Sequence, residues 1–379
     1  MSLVLNEDQL MLKDSAAGFL AEKSPLSALR KLRDERDETG YSKALWQEMA
    51  ELGWAGMAID EAYGGLGFGY TGLGVVLEEM GRKLTASPML ASIVTGATAV
   101  ALGGGEELKQ ALLPALAGGA MTMTLAVQET ASHKPLQTST SALRQASAYL
   151  LNGRKLLVAD VHTADRIVVA ARTSGGPGEE HGLTLFLVDA DAEGLSAERV
   201  FMVDSRNSGR LILDQVRVDD SRILGEVDRG WPLLQKILDI ANIGLSAELL
   251  GLSLEAFERT LEYLKERRQF GATIGSFQGL QHRAAELYTE LELARSIVLA
   301  ALQAIDRGDE RLPVLAAACK AKLCQVSTRV TTEAIQMHGG IGMTDEFEIG
   351  FFIKRAKVAQ QTFGDYHYQL DRFAAANAY

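Results

Sequence analysis

The sequence predicts an α+β protein with three domains in the order helical, β and helical. Apolar residues recur every three or four positions through residues 6–119, as on one face of a helix. From residue 121 to about residue 224 the period falls to two, and the helical period then returns. These changes predict an N-terminal all-helical domain at 1–119, a middle antiparallel β-barrel or sandwich at 120–225, and a C-terminal four-helix bundle at 226–379.

Three segments carry the N-terminal helical prediction: residues 10–20, 45–52 and 73–80. A glycine-rich turn at 64–67 separates the second segment from the third. It is not a phosphate-binding loop, because no predicted strand precedes it and no Lys-Ser/Thr pair follows it. We therefore interpret it as a turn between helices.

Strand-forming residues dominate the middle domain. Residues 167–171, 183–188 and 211–213 are rich in Val, Ile, Leu and Phe, and turn signals occur at 152–153 and 174–178.

After the middle domain, long helical patterns cover residues 233–268, 277–307 and 313–338, with a last segment from residue 347 onward. Four long helices with short connections predict a bundle.

Composition narrows the possible functions. The net charge of -11 and the pI near 5.2 disfavour binding to nucleic acid or to an anionic membrane, because no basic stripe is present. Cys319 and Cys324 are five residues apart in an alanine-rich run, so they are expected to be core residues rather than metal ligands. No metal site is predicted. The start of the chain lacks a secretory pattern, which leads us to expect a cytoplasmic protein.

Several short motifs occur in a distinctive order. They are WQEMAELGW at 46–54, EAYGGLG at 61–67, VRV at 216–218, LGE at 224–226, YLKERRQFG at 263–271, FQ at 277–278 and QMHGGIG at 336–342. Together they resemble the acyl-CoA dehydrogenase family over essentially the full length of the chain. The resemblance implies α,β-desaturation of an acyl-CoA thioester, with FAD as cofactor and electron-transfer flavoprotein or a similar acceptor as partner. The resemblance also implies a role in the degradation of fatty acids or of steroid side chains.

The resemblance also implies which residues contact the flavin. In the bundle, these residues would reach a flavin held mainly by a neighbouring subunit: Arg267, Gln269, Phe270, Phe277, Gln278, Gln336, Met337, Gly339 and Gly340. In the middle domain, backbone amides would contact the flavin ring at Val127, Gln128, Glu129, Leu157, Val158 and Ala159. Arginine suits phosphate, and paired glycines allow a cofactor to approach the backbone closely.

The middle domain departs from the family pattern. Where the family has Val-Thr-Glu-Pro-Gly-Ala-Gly-Ser-Asp, residues 125–133 read LAVQETASH. Where it has Asn-Gly-x-Lys-x-Trp-Ile-Thr, residues 152–159 read NGRKLLVA. Leu157 thus replaces the Trp that packs on the flavin, and Ala159 replaces the Thr that bonds the ring. We expect weakened flavin binding on this side.

The catalytic base is missing from both family positions. The family's Glu stands just before a Gly beyond the Gly-Gly pair, and Phe363 precedes Gly364 there. The alternative position on the first bundle helix is Ala241. Two carboxylates are weak replacement candidates. Asp365 lies two residues after Phe363, and Glu248 lies seven residues after Ala241, roughly 10 Å further along the helix. Two further residues are expected to bind substrate: Asp239 and Asn242.

Three functions remain open. The first is a dehydrogenase subunit that lacks its own base and assembles with a base-bearing paralogue, as a heterotetramer. The second is a self-sufficient homo-oligomeric dehydrogenase that uses Asp365 or Glu248. The third is a non-catalytic flavoprotein scaffold. The chain keeps what would act on a neighbour's flavin and has lost what acts on its own, which favours the first.

Overall fold

The computed structural model describes residues 3–379, and this range begins with helices. The first helix is capped by Asn6, whose side chain accepts a hydrogen bond from the Gln9 N–H while the Gln9 side chain accepts one from the Asn6 N–H. The helices are α1 (Glu7–Lys23), α2 (Leu26–Asp34), α3 (Lys43–Glu51), α4 (Gly69–Lys83), a π-helical stretch (Met89–Ala97), α5 (Thr98–Gly103) and α6 (Glu106–Ala117). The three predicted helical segments are confirmed.

The middle of the chain forms one sheet. Its strands are β1 (Met123–Ala126), β2 (Ser141–Gln145), β3 (Ala148–Ala159), β4 (Arg166–Arg172), β5 (Leu183–Asp189), β6 (Leu195–Phe201), β7 (Asn207–Asp219) and β8 (Ile223–Leu224). The strand order is β6-β7-β3-β2-β4-β5-β8, with β1 added beside β4. Apolar side chains fill its interior, where the rings of Tyr149 and Phe186 lie 5.2 Å apart.

Most strand pairs are antiparallel, as predicted, but β4 pairs in parallel with β1 and, at a single residue pair, with β2. The β2–β3 hairpin lies between β1 and β4 in the sequence. Such a long connection brings the chain back in its original direction, which a short hairpin turn cannot do. The expectation of a purely antiparallel domain was therefore incomplete.

The rest of the chain is helical apart from a small hairpin. Its elements are α7 (Gly230–Glu266), β9 (Arg268–Gln269), β10 (Ala272–Thr273), α8 (Gln278–Arg307), α9 (Leu312–His338), α10 (Ile349–Gln361) and α11 (Tyr366–Ala376). The predicted last segment is two helices rather than one. Phe363 and Gly364, with φ of 58° and 103°, break it, and the Asp365 side chain caps the helix that follows.

The chain divides into two compact units. One contains residues 3–31, Tyr70–Thr85 and Asn242–Tyr379, and the other contains Leu32–Gly69 and Ala86–Ala241. Within the first unit, α4 and α7 cross at two glycines. A Cβ on Gly81 would overlap the Glu248 carbonyl, and a Cβ on Gly251 would overlap the Glu78 carbonyl. The two backbones therefore approach more closely than any larger residue allows.

Two further features bear on membranes and metals. By length and composition, α7 is the one described helix long and apolar enough to cross a membrane, but its most apolar stretch is completely buried in the protein. A buried core helix has the same character. Within residues 3–379, no group of His, Cys, Asp and Glu side chains is arranged to hold a metal ion.

Candidate functional site

Phe363, which is predicted to stand where the family has its catalytic Glu, lies in a tight turn between α10 and α11. We define the base-position turn as residues 362–364. Phe363 occupies the family's Glu position in a left-handed conformation with φ of 58°. Bulky residues rarely adopt this region, because the Cβ atom approaches the backbone. The surrounding structure must therefore hold the turn in place.

Three buried side chains hold the base-position turn through its carbonyl groups. Lys320 Nζ donates hydrogen bonds to the carbonyl oxygens of Thr362 at 2.6 Å and Gly364 at 3.3 Å. The Phe363 carbonyl accepts from Asn242 Nδ2 at 3.2 Å and from Gln369 Nε2 at 3.0 Å. Each donor comes from a different helix: Asn242 from α7, Lys320 from α9 and Gln369 from α11. We call these three side chains the carbonyl cradle.

Lys320 is fully buried at 0% exposure. Burial lowers the pKa of its ammonium group to about 8. Among the described residues, no carboxylate lies within ion-pair distance of Nζ. Its partners are the two turn carbonyls and Asn242 Oδ1, at 3.4 Å. The charge of Lys320 is thus directed at the turn rather than at an acidic side chain.

Both candidate replacement bases have hydrogen-bond partners within the protein, and their catalytic role stays a prediction. Asp365 caps α11, and its Oδ1 accepts a hydrogen bond from the Tyr368 N–H at 2.9 Å. Glu248 is buried and makes a bidentate ion pair with Arg355, with Oε1 to Nε at 2.7 Å and Oε2 to Nη2 at 2.8 Å. A carboxylate that is paired with a buried arginine cannot approach a substrate without breaking the pair. Both residues have structural roles here.

The two predicted substrate-binding residues lie on α7. Asn242 belongs to the carbonyl cradle, so its amide is directed at the base-position turn. Asp239 is 1% exposed and has interaction partners inside the protein. Ala241, the alternative base position, is completely buried. The structure brings Asn242 to the turn, and the substrate roles of both residues stay predictions.

The β9–β10 hairpin carries part of the predicted flavin surface of the bundle. Phe270 and Gly271 form its two-residue turn, both with positive φ, and this turns the Phe270 ring outward at 93% exposure. The ring meets that of Phe277 with centroids 6.3 Å apart. Arg267, Gln269 and Gln278 are also exposed. Among the described residues, the Arg267 guanidinium has no ion-pair partner, which suits a phosphate-binding role.

The Gly339-Gly340 pair follows directly after α9. Gly339 has φ of 65° and ψ of -140°, a conformation restricted to glycine. A Cβ on either glycine would meet nothing within 4 Å. Because neither glycine has a side chain and the space beside them is open, a cofactor could approach this backbone closely. Gln336 is exposed beside the pair, but the Met337 side chain is 6% exposed and points into the core.

The middle domain contains a second buried lysine. Lys155 is 0% exposed, and its Nζ lies 2.6 Å from Glu129 Oε1 and 3.3 Å from the Val127 carbonyl. Burial lowers the pKa of Lys155 to about 8. Burial also raises the pKa of Glu129, but the Lys155 charge and hydrogen bonds from Lys155, Ser139 and Thr140 outweigh it and lower that pKa to about 2. The Glu129 side chain is therefore committed to the fold.

Backbone contacts organise the other predicted ring contacts. The pairing of β3 with β7 shifts between Lys155 and Val158, and Leu157 lies in this bulge with φ of 52° and 46% exposure. The Val158 side chain is buried, and the Ala159 carbonyl accepts a hydrogen bond from Thr124 Oγ1 at 2.6 Å. The Gln128 carbonyl accepts from the Leu156 N–H at 2.7 Å.

The fit to a flavin therefore differs between the two regions. The bundle offers an exposed guanidinium, exposed amides and bare glycine backbone, all of which suit the phosphates and adenosine of FAD. The middle domain offers backbone and the Leu157 side chain, without an aromatic ring or hydroxyl at 157 and 159. The two segments from this domain, 127–129 and 157–159, are brought together by the Leu156–Gln128 hydrogen bond.

Sequence reasoning missed two members of the carbonyl cradle. Lys320 is a lone charged residue in the apolar run 314–321 (VLAAACKA), which was a usable signal. Gln369 offered none, because polar residues are common on a terminal helix and only the fold shows that it is 0% exposed.

Comparisons with known proteins agree across the whole chain. The N-terminal, middle and C-terminal domain models of acyl-CoA dehydrogenase match residues 6–120, 123–216 and 228–377. The probable acyl-CoA dehydrogenase fadE25 of Mycobacterium leprae is 30% identical over 81% of this chain and 80% of its own length. A solved variant of the Tcur3481-Tcur3483 steroid ACAD is 32% identical, covers 98% of each chain and superposes with a TM-score of 0.88.

A chain of the ChsE4-ChsE5 complex from Mycobacterium tuberculosis is 25% identical, with a TM-score of 0.90 over 100% of this chain and 99% of that one. The predicted resemblance and the predicted fold class are confirmed. The chain therefore belongs to the acyl-CoA dehydrogenase family, flavin-dependent oxidoreductases that act on a CH–CH group.

Proposed function

We propose that this chain is a subunit of an FAD-dependent acyl-CoA dehydrogenase that lacks its own catalytic base. The observation that carries the proposal is Phe363 at the base position, with the carboxylates of Asp365 and Glu248 committed to a helix cap and to Arg355. A general base contributes roughly 10²- to 10⁴-fold to such a reaction. Turnover then requires a paralogous subunit that carries the base.

The roles of the two proposed subunits follow from the flavin-contacting residues that this chain has in its bundle. Bound FAD would accept the β hydrogen as hydride, wherever the base is supplied. This chain would anchor the partner's cofactor through Arg267, which pairs with phosphate, and through Gln269 and Gln336 at the adenosine half. The bare backbone of Gly339 and Gly340 admits the cofactor at close range. A mixed oligomer thus uses the surface that the bundle preserves.

The relatives support a mixed oligomer. The neighbour from Mycobacterium tuberculosis was solved as a complex of ChsE4 with ChsE5, and the Tcur3481-Tcur3483 protein is described as a steroid ACAD. By analogy, a steroid-type or fatty acyl-CoA is the substrate that we propose. Electron-transfer flavoprotein or a similar protein would reoxidise the flavin, and we propose that the protein works in the cytoplasm.

The test compares the chain alone with the chain purified together with a base-bearing paralogue. We expect the mixture to show more bound flavin by its visible absorbance, and acyl-CoA turnover that the isolated chain lacks. Sedimentation should show a dimer or a larger closed oligomer. Ordinary dehydrogenase turnover by the isolated chain would contradict the proposal and return the base role to Asp365 or Glu248. Absence of flavin and turnover in both samples would favour a non-catalytic scaffold.

A further inference from the structure

The motif at 336–342 contains a histidine that no predicted flavin contact explains. His338 is the last residue of α9, and its side chain is 3% exposed beside the predicted cofactor contact Gly339. Its Nδ1 lies 2.7 Å from the Ala334 carbonyl oxygen. A carbonyl can only accept a hydrogen bond, so Nδ1 carries the proton and Nε2 of the neutral ring is an acceptor. The imidazole is thus fixed inside the protein and is not a surface on which a cofactor can lie.

Two aromatic rings enclose the imidazole. The Tyr263 ring stacks on it, with centroids 4.4 Å apart and planes 28° apart, and the Phe347 ring lies 4.8 Å from it. The rings of Tyr263 and Phe347 are 6.3 Å from each other, which is within the range of aromatic contact. We call Tyr263, His338 and Phe347 the ring cluster. It joins α7, the end of α9 and the connection before α10 within one compact unit.

The ring cluster contacts both parts of the flavin anchor, by which we mean Arg267 and the Gly339-Gly340 pair. The Tyr263 hydroxyl donates a hydrogen bond to the His338 carbonyl at 3.3 Å, and this carbonyl belongs to the peptide that enters Gly339. The Tyr263 carbonyl accepts the Arg267 N–H at 2.9 Å, just after α7 ends. Tyr263 therefore links the backbone of Arg267 to the backbone of Gly339.

The ring cluster favours a neutral His338. Burial lowers the pKa of His338, and the Ala334 carbonyl opposes that shift only in part. Nε2 is buried and has no hydrogen-bond partner in the described part of the chain. A proton on Nε2 would be a buried N–H without an acceptor, so charging the ring requires the ring cluster to open.

Charged residues on the elements packed against His338 do not contribute to this shift, whose causes are burial and the Ala334 carbonyl. They are Arg259 and Glu262 on α7, Glu333 on α9, and Glu346 and Glu348 beside Phe347. The titratable group in direct contact with the imidazole is the Tyr263 phenol. The acid sensitivity of the ring cluster therefore resides in His338 itself.

We propose that the ring cluster, with His338 at its centre, positions the two parts of the flavin anchor relative to each other. Arg267 would pair with phosphate, and Gly339 and Gly340 would admit the adenosine half at close range. A cofactor that spans both parts needs a fixed separation between them, and buried side chains supply such support. The inference rests on the proposed flavin-binding role of the bundle. It adds a buried determinant of flavin affinity that acts through the shape and the neutrality of a ring.

The experiment measures the dissociation constant of FAD from the full chain, in the oligomer that binds it, by quenching of flavin fluorescence. We expect His338→Ala to weaken FAD binding about tenfold at neutral pH, because the ring cluster loses its central member. His338→Phe keeps a ring there and should stay within about threefold of wild type. FAD affinity equal to that of wild type in His338→Ala would overturn the inference.

His367→Ala is the matched control. His367 also makes a ring contact with a tyrosine, Tyr366, at 5.3 Å, but it is exposed on α11. This variant should bind FAD as wild type does. An equal loss in His367→Ala and His338→Ala would mean that removing any histidine ring from this unit weakens binding, and it would also overturn the inference.

The pH dependence separates positioning from a general loss of stability. Because the pKa of His338 is lowered from its ordinary 6.5, the closed ring cluster is fully favoured above pH 6.5 and this contribution is lost as pH falls through the folded pKa. FAD binding by wild type should therefore weaken on acidification more than binding by His338→Phe, which has no group to charge. Equal pH profiles for these two proteins would contradict the inference.

Tyr263→Phe covers the case in which the His338 variants do not fold. It keeps the stacked ring and removes the hydrogen bond from its hydroxyl to the His338 carbonyl. FAD binding should weaken about threefold, and an unchanged affinity would count against the ring cluster. Expected FAD affinities without turnover beside a base-bearing paralogue would refute the proposed function and leave this inference in place. Failure of the wild-type oligomer to bind FAD would overturn both.

Discussion

The two buried lysines Lys155 and Lys320 differ in what balances their charge: a carboxylate for Lys155, and carbonyl and amide oxygens for Lys320. Lys155 and Lys320 are both 0% exposed, and burial lowers the pKa of each to about 8. Lys155 contacts the Glu129 carboxylate at 2.6 Å, so the middle-domain charge is neutralised locally. Within residues 3–379, the Lys320 ammonium donates to carbonyl and amide oxygens alone, so the charge of the bundle lysine is offset by dipoles.

The two arrangements have different effects on the residues around them. The ion pair Lys155–Glu129 holds two segments together, and its opposite charges largely cancel each other's electric field. A lysine whose partners are peptide carbonyls keeps its electric field and orients those peptide groups. The middle domain thus contains a buried ion pair, whereas the bundle contains a buried lysine that orders the turn at residues 362–364.

Removing the Glu129 charge should produce the largest effect. Glu129→Gln leaves the Lys155 ammonium buried without its counter-ion, and breaking a buried pair in this way costs about 3–5 kcal/mol. Chemical denaturation should show this loss in the free energy of unfolding. Glu198→Gln is the matched control, because Glu198 pairs with Arg210 at the surface, and it should cost at most about 1 kcal/mol. Equal effects would refute the comparison.

Lowering the pH should change the stability difference between wild type and Glu129→Gln. The pKa of Glu129 is about 2 in the folded protein and 4.5 as a free group. Its contribution to stability is therefore complete above pH 4.5 and is lost as pH falls toward 2. The stability difference between wild type and Glu129→Gln should shrink through this window in denaturation curves. A constant difference would mean that Glu129 does not titrate with folding.

Arg267→Ala tests the exposed surface of the bundle. Loss of a charge-assisted phosphate contact is worth about 1.5–3 kcal/mol, so the affinity of the oligomer for flavin should fall by about ten- to a hundredfold. The measurement is the ratio of flavin to protein absorbance after dialysis. Lys265→Ala, nearby and paired with Glu262, should leave the ratio unchanged. Full occupancy in Arg267→Ala would remove Arg267 from the cofactor site.

Phe363→Glu should have the smallest effect. It restores a carboxylate to a turn that the carbonyl cradle already holds, but Leu157 and Ala159 still lack the ring contacts of the family. A base without an aligned hydride acceptor gains little, so we expect turnover to rise less than about tenfold. Adding Leu157→Trp and Ala159→Thr to the same chain should raise it further. A rise of about a hundredfold with Phe363→Glu alone would show that the flavin is already aligned.

Most of the fold could be predicted from periodicity and motif order. The confirmed helical and strand segments are those in which local pattern and tertiary packing agree, such as residues 73–80 and 183–188. The absence of a Glu before Gly364 is visible in the sequence, and the loss of the base that it predicts stays a prediction. The break between α10 and α11 was missed because a left-handed Phe is disfavoured locally and is stabilised only by distant donors.

The candidate site was harder to predict. The roles of Glu248 and Lys320 depend on Arg355 and on residues 362–364, which are distant in sequence. The β9–β10 hairpin was missed because Phe at a positive-φ turn position carries no turn signal. Local pattern along one chain cannot reveal such distant pairings.

The glycine crossing of α4 and α7 has a consequence for how this chain folds. Residues 70–85 belong to the same compact unit as residues 242–379, and Gly81 and Gly251 seat each helix against the other's carbonyls. A fragment beginning at residue 226 would lack α4 and leave its binding groove on α7 empty. The compact unit that contains the bundle is therefore completed by an early segment of the polypeptide, and we expect the fragment 226–379 to be less stable than the full chain.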